Sequence, residues 1–232
     1  MSKQQTFDLM GAESASERMQ ILLHFIEFWL GPRRPEYGES AEKLAALRLP
    51  MPLHVLYEFA GRWPRFYPLP NYEPWNHALA HLDHLRKLDD LQFARNGRLI
   101  FVDENQGVWE CCTLTHGDDP PVWCIEDQPD DTGQWTKQER LVSSSLSTFL
   151  VSFVLQELMV GSRRGLSDKG IERMFAETQQ EATVLWRDRP YALKKHYNFT
   201  LWNGLLVGSL YDRYWFAANN EQTLDFLDRH QG

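Results

Sequence analysis

The sequence predicts an α+β fold, a mostly antiparallel sheet or meander flanked by helices. Three observations predict it. Apolar residues recur at helical spacing in Ala15–Leu30 and again in the stretch LHVLYEFAG. From about Leu91 the period drops to two, in LQFA, LIFVDE and VWECCTL. Asn96-Gly97, Gln106-Gly107 and Asn203-Gly204 then punctuate the two-period stretches, as hairpin turns that need positive φ do. Strands that follow one another directly, instead of alternating with helices, pair antiparallel.

Each element has a local reason. Ser14 with Glu17 fits a capping box, and the helix it opens runs to about Leu30, where Gly31-Pro32 stops it. Glu17, Gln20, His24 and Glu27 form one narrow polar strip on that helix. Met19, Leu22, Leu23, Phe25, Ile26, Phe28, Trp29 and Leu30 fill the rest, an arc that demands burial inside the domain or against a second copy in a homodimer. Ser40 caps a short helix, AEKLAALRL. Leu49-Pro50-Met51-Pro52 leads into a helix ended by Gly61. Arg62–Pro74 reads as an ordered loop and Trp75–Leu88 as a helix. Ser143-Ser144-Ser145 caps LSTFLVSFVLQELMV, with Thr148, Ser152 and Gln156 expected to face water. A helix from about Asp168 is expected to present Ile171, Met174, Phe175, Ala182 and Leu185 on one face. Tyr197–Trp202 and Leu205–Leu210 make a hairpin, RYWFAA adds a third strand, and Asn220 caps a last helix ending near Arg229.

Composition bounds the function classes. At 232 residues, 43% hydrophobic and 13% aromatic, the chain has the material for a proper core. The longest apolar run, Ile21–Leu30, is too short to span a bilayer, and the polar N-terminus has no signal-peptide core, so no membrane association is expected. Three cysteines without framework spacing point to a reducing cytoplasm. The basic pairs Arg33-Arg34, Arg163-Arg164 and Lys194-Lys195 are scattered, which speaks against nucleic acid as a partner.

Charge is segregated. The run from Leu99 to Thr136 holds no Lys or Arg and nine acids, which leaves 23 acids against 24 bases elsewhere and puts the formal charge of −8 in one strand-rich segment. A one-signed patch concentrates partners of opposite charge. Catalytic and metal motifs are weaker. His77, His81 and His84 at i, i+4, i+7 on the expected helix would present imidazoles on one face, the basis of a metal-dependent hydrolase alternative. Against it stand the missing further ligand and the plain alternative of a solvated polar face. Cys112, His116 and Cys124 form a second candidate set, opposed by strand geometry that sends Cys111 and Cys112 to opposite sides. Phosphate-binding glycine loops and nucleophile elbows are missing, so no catalytic residue and no cofactor is expected.

Leu49-Pro50 followed by Leu53, Leu56, Tyr57, Phe59 and Gly61 resembles the opening signature of the SUKH superfamily, the Smi/Knr-type domain. Leu99-Ile100-Phe101, Glu104-Asn105-Gln106, Val108, Asp118–Trp123 and the helix from Leu146 continue the resemblance, which spans about residues 40–160. It divides the chain into an N-terminal helical segment (1–39), a SUKH-like domain (40–160) and a helix-and-hairpin extension (161–232) sharing the same domain. The resemblance implies a non-enzymatic protein-binding module, a bacterial immunity protein that neutralises a toxin, for example a nuclease. The alternative is a cytoplasmic regulatory or scaffold protein. With a basic toxin domain as partner, the expected contacts are Asp118, Asp119, Asp127, Asp130 and Asp131 at turns, with Trp135 as an aromatic anchor.

Overall fold

The structure, a computed structural model, describes residues 7–63, 79, 81–162, 164–166, 169–192, 196–210 and 213–229. These residues form six α-helices and eleven strands in two antiparallel sheets, the expected α+β class.

Helix α1 (Ala15–Leu30) opens as its capping residues dictate: Ser14 Oγ accepts the Glu17 N–H at 3.1 Å. Glu17 reaches back at 2.8 Å to the N–H of Glu13, one residue beyond the N-cap Ser14 to which a capping box returns its bond. The helix closes at Gly31, whose φ of 90° suits a residue without Cβ. Met19, Leu22, Phe25, Ile26 and Trp29 are buried, α1 packing on α3 (Met51–Ala60) and α4 (Leu146–Val160). The apolar arc is therefore absorbed within the fold, with Phe28 left 44% exposed. The short α2 (Ala41–Ala45) is capped by Ser40 as expected.

The helix expected over Trp75–Leu88 is not present over the described residues 81–88. They contain instead β1 (Asp83–Leu85), antiparallel to β3 (Leu99–Glu104). Its cause is visible in the backbone: the N–H groups of His81, Leu82 and Asp83 all donate to the Glu157 carboxylate, which removes them from any helical ladder. On the same edge of β3 lies β2 (Gln92–Phe93), and β4 (Trp109–Thr113), β5 (Val122–Pro129) and β6 (Trp135–Ser143) continue the sheet on its other side. The Asn96-Gly97 and Gln106-Gly107 turns fall where the dipeptides place them, with Gly97 and Gly107 at positive φ. Strand β6 is an addition to the sequence-based meander.

The second sheet runs β7 (Arg164–Leu166), β11 (Arg213–Ala218), β10 (Leu205–Leu210), β9 (His196–Trp202), β8 (Thr183–Pro190). Helix α5 (Lys169–Thr178) carries Ile171 and Phe175 inward but ends before Ala182 and Leu185, because the chain turns and pairs with β9 from Thr183. In α6 (Glu221–Arg229), Asn220 Oδ1 accepts the Thr223 N–H at 3.0 Å.

Helix α4 is the central layer. Sheet one lies on one side, α1 and α3 beside it, and the second sheet on the other. One continuous apolar cluster runs from Phe25 through Phe101 and Phe149 to Trp186, Phe199 and Ala217. A smaller one joins α5 and α6 to the far face of the second sheet through Phe175, Trp202, Phe216 and Leu227. A helix placed in this way is buried along nearly its whole length, with only Thr148 and Val160 partly exposed. The expectation that Ser152 and Gln156 face water is accordingly overturned: both are buried, and Ser152 accepts the Trp186 indole N–H at 2.9 Å. Among the described residues no helix is long and apolar enough to cross a membrane.

Candidate functional site

The acidic run folds into β3, β4, β5 and their turns, and bases from outside it fold onto it. Arg86 bridges Asp103 and Glu110, each at 2.7 Å, while Lys137 stands 3.5 Å from Glu110 and Arg140 3.7 Å from Glu126. Charge segregated along the chain is thus partly neutralised in space.

The residues expected to meet a partner are not one patch. Asp119 faces inward and caps α4, accepting the Ser147 N–H at 2.7 Å and the hydroxyls of Ser145 and Ser147 at 2.6 and 2.8 Å. Asp118 is exposed beside it. Asp127, Asp130, Asp131 and Trp135 lie at the opposite end of β5, whose eight residues hold the two groups roughly 25 Å apart. Asp130 accepts the Thr132 hydroxyl at 2.6 Å and the N–H groups of Thr132 and Gln134, bonds that close the β5–β6 turn and hold its carboxyl below the usual range. Asp127 and Asp131 are exposed. Trp135 is 70% exposed, whereas Trp109 belongs to the core and Trp123 lies under the Arg98 guanidinium.

The end of sheet one that carries Asp127 also carries a groove of about 340 Å³. It is lined by Asp103, Glu104, Glu110, Glu126 and Asp127, and among the described residues Arg86, Lys137 and His84 are the basic side chains that line it. Glu104, Val108 and Trp109 are shared with a smaller cavity of about 110 Å³ that leads inward to Asp83, Gln156, Tyr191 and Tyr197.

Behind that cavity lies a buried polar cluster the sequence reading missed. Glu157 Oε2 accepts the N–H groups of His81 and Leu82 at 2.6 and 2.9 Å, and Oε1 that of Asp83 at 2.9 Å. Asp83 Oδ2 accepts the Tyr191 hydroxyl at 2.7 Å and the Gln156 amide at 2.6 Å. Burial pushes the Asp83 carboxyl up to about 6, although its bonds from Tyr191 and Gln156 oppose the rise. Burial and the neighbouring Asp83 charge push Glu157 up to about 8. The Tyr191 hydroxyl is raised by the same two causes. A signal was present in the sequence: Gln156-Glu157 interrupts the otherwise apolar α4, a pair that must be satisfied wherever such a helix is buried on all sides.

No group of three or more His, Cys, Asp or Glu side chains is arranged to hold a metal among the described residues. His77 lies outside those residues. His81 lies in a bend and His84 in β1, neither on a helix, so the i, i+4, i+7 array is not formed among the described residues. Cys111 pairs across the sheet with Cys124, which leaves Cys112 on the opposite face and divides the second candidate set. Burial and the adjacent Glu139 carboxylate push the Cys112 thiol up to about 12, an inert state.

Comparison of the chain with family models, with curated proteins and with solved structures returns no match.

Proposed function

We propose that this chain is a non-enzymatic protein-binding module that receives a basic partner at the acidic end of its first sheet. The observation that supports it most is the composition of the groove there: among the described residues, five carboxylates against Arg86, Lys137 and one histidine, with Trp135 exposed at the same end of the sheet. Surplus negative charge accelerates encounter with a basic surface, and a projecting aromatic supplies an anchor. The carboxylates of the buried cluster are already engaged by backbone and side-chain donors, which favours a structural role for them. The SUKH-like motifs make a toxin domain the class of partner, and the chain an immunity-type protein acting by occlusion. The regulatory scaffold reading drew on the wide apolar arc of α1, and most of that arc is buried against α3 and α4.

Capture from the native strain tests the reading, using wild type and a double variant, Asp127→Lys with Asp131→Lys. Both positions are exposed, so folding is undisturbed, unlike at Asp130 with its turn bonds. Capture of a strongly basic toxin-like protein by wild type alone is the expected result. Equal capture by both forms, or capture of acidic proteins only, sinks the reading.

A further inference from the structure

Strand β6 is an edge of sheet one, and Trp135, Lys137, Gln138, Glu139 and Leu141 on it are exposed. The β5–β6 hairpin fixes which way its backbone groups point. The Asp130 N–H donates to the Gln134 carbonyl at 2.8 Å, so the groups of that pair face each other. From Pro129 opposite Trp135 to Trp123 opposite Leu141 the register is unbroken. Antiparallel alternation therefore turns the N–H and C=O of Thr136, Gln138 and Arg140 toward β5, and those of Trp135, Lys137, Glu139 and Leu141 outward. Among the described residues no strand pairs with that outer side.

The other edges are blunted, as edges that stay single usually are. Strands β1, β2 and β7 are three, two and three residues long. Strand β8 is longer, but its register is interrupted twice. Strand β6 has the length and regularity to accept another strand.

Its sequence favours a copy of itself. Across a twofold axis, outward groups meet outward groups only if the axis passes through a residue. An axis at Lys137, Glu139 or Arg140 sets like charges opposite each other, and one at Thr136 runs into the β5–β6 turn. An axis at Gln138 sets Lys137 opposite the partner's Glu139 and Trp135 opposite the partner's Leu141, and symmetry repeats both pairs. Arg98 and Asn96 already orient the Glu139 carboxylate. Opposite charges and aromatic–aliphatic pairs facing across strands are favourable, whereas like charges are not. A lysine on an edge deters indiscriminate addition, but opposite a glutamate it selects one register.

We propose that two copies of this chain associate by antiparallel pairing of β6 with β6, centred on Gln138, which joins their first sheets into one. The pairing uses the edge of the strand and leaves the outer face of each sheet open. It is independent of the docking reading and is testable without any other partner.

Sedimentation equilibrium of the full chain is the test. An interface of one strand edge is small, so a dimer constant on the order of 10 µM is expected. Lys137→Pro removes an outward N–H and no bond to β5, and should abolish the association. Should that variant fail to fold, Lys137→Glu decides: it sets glutamates opposite one another on both sides of the axis and should weaken association about tenfold. Cross-linking reads the register. Gln138 meets its own copy at a non-hydrogen-bonded position, where Cα atoms lie about 4.5 Å apart, within disulfide reach. Under mild copper–phenanthroline oxidation, Gln138→Cys should give a disulfide-linked dimer much faster than Asp131→Cys, which is exposed in the turn. Cys111, Cys112 and Cys124 are buried and do not compete. A wild type that stays monomeric up to about 500 µM overturns the proposal. So does unchanged dimerisation of a folded Lys137→Pro or Lys137→Glu variant, or equally fast linking of the two cysteine variants.

Discussion

The two sheets share a helix and differ in what covers them. Both are antiparallel and both pack an inner face toward α4, but among the described residues only the second is covered on its far face, by α5 and α6. There Phe175, Trp202, Phe216 and Leu227 are buried. On sheet one, Phe93, Leu141 and Trp135 remain 65%, 55% and 70% exposed, and Asp103 and Glu110 stay partly exposed over the buried Arg86 that pairs them. Apolar side chains on a sheet face gain their stabilising effect only under a second layer. The far face of the second sheet thus contributes to folding, while that of the first leaves aromatic and charged groups available for contact.

That contrast can be broken by substitution, and the largest effects belong where the layers meet. Trp186→Ala removes a buried ring and its bond to Ser152, and should cost about 3–5 kcal/mol in denaturant unfolding. Phe175→Ala, under the outer helical layer, should cost about 3 kcal/mol, whereas Leu141→Ala on sheet one should stay within about 0.5 kcal/mol. Equal losses at the two positions would mean that sheet one is covered as well.

Asp119→Ala deletes the side chain that caps α4 and should lower stability by about 1–2 kcal/mol. Partner binding roughly 25 Å away should not change. A loss of affinity with stability intact would return Asp119 to the interface.

The buried carboxylates sharpen the comparison through pH. Both Asp83 and Glu157 have folded-state values above their ordinary ones, about 6 against 3.8 and about 8 against 4.5. For an acid shifted upward the folded state holds the proton more tightly. Stability is therefore fullest below the ordinary values and declines as pH rises through about 6 and then about 8. Melting temperature should fall across that window, and Asp83→Asn should flatten its lower part. An unchanged slope in that variant would assign the titration to other groups.

What was legible in the sequence was local. Ser14, Ser40, Ser145 and Asn220 cap the helices they were expected to cap, and Asn96-Gly97 and Asn203-Gly204 turn their hairpins, because caps and tight turns depend on a few adjacent residues. What was hidden is tertiary. The stretch from His81 bends into β1 instead of coiling because Glu157, far along the chain, takes the amide protons of His81, Leu82 and Asp83. Ser152 and Gln156 look like a wet face in the sequence, whose helical spacing carries no sign that both sheets close over α4. The nine acids were legible as a run, but Arg86 and Arg140, which partly neutralise them, come from outside it. The split of the candidate contacts between two ends of β5 follows from strand length alone, once Asp118 and Asp130 are known to flank the same strand.

The most direct measurement is the association rate of the purified partner with three forms of the chain at low and moderate salt: wild type, Asp127→Lys with Asp131→Lys, and Asp118→Lys. Docking at the acidic end requires the double variant to associate about tenfold more slowly at low salt and to lose much of its salt dependence, with Asp118→Lys close to wild type. Equal slowing by Asp118→Lys, or no change in the double variant, would contradict it and place the interface elsewhere on the molecule.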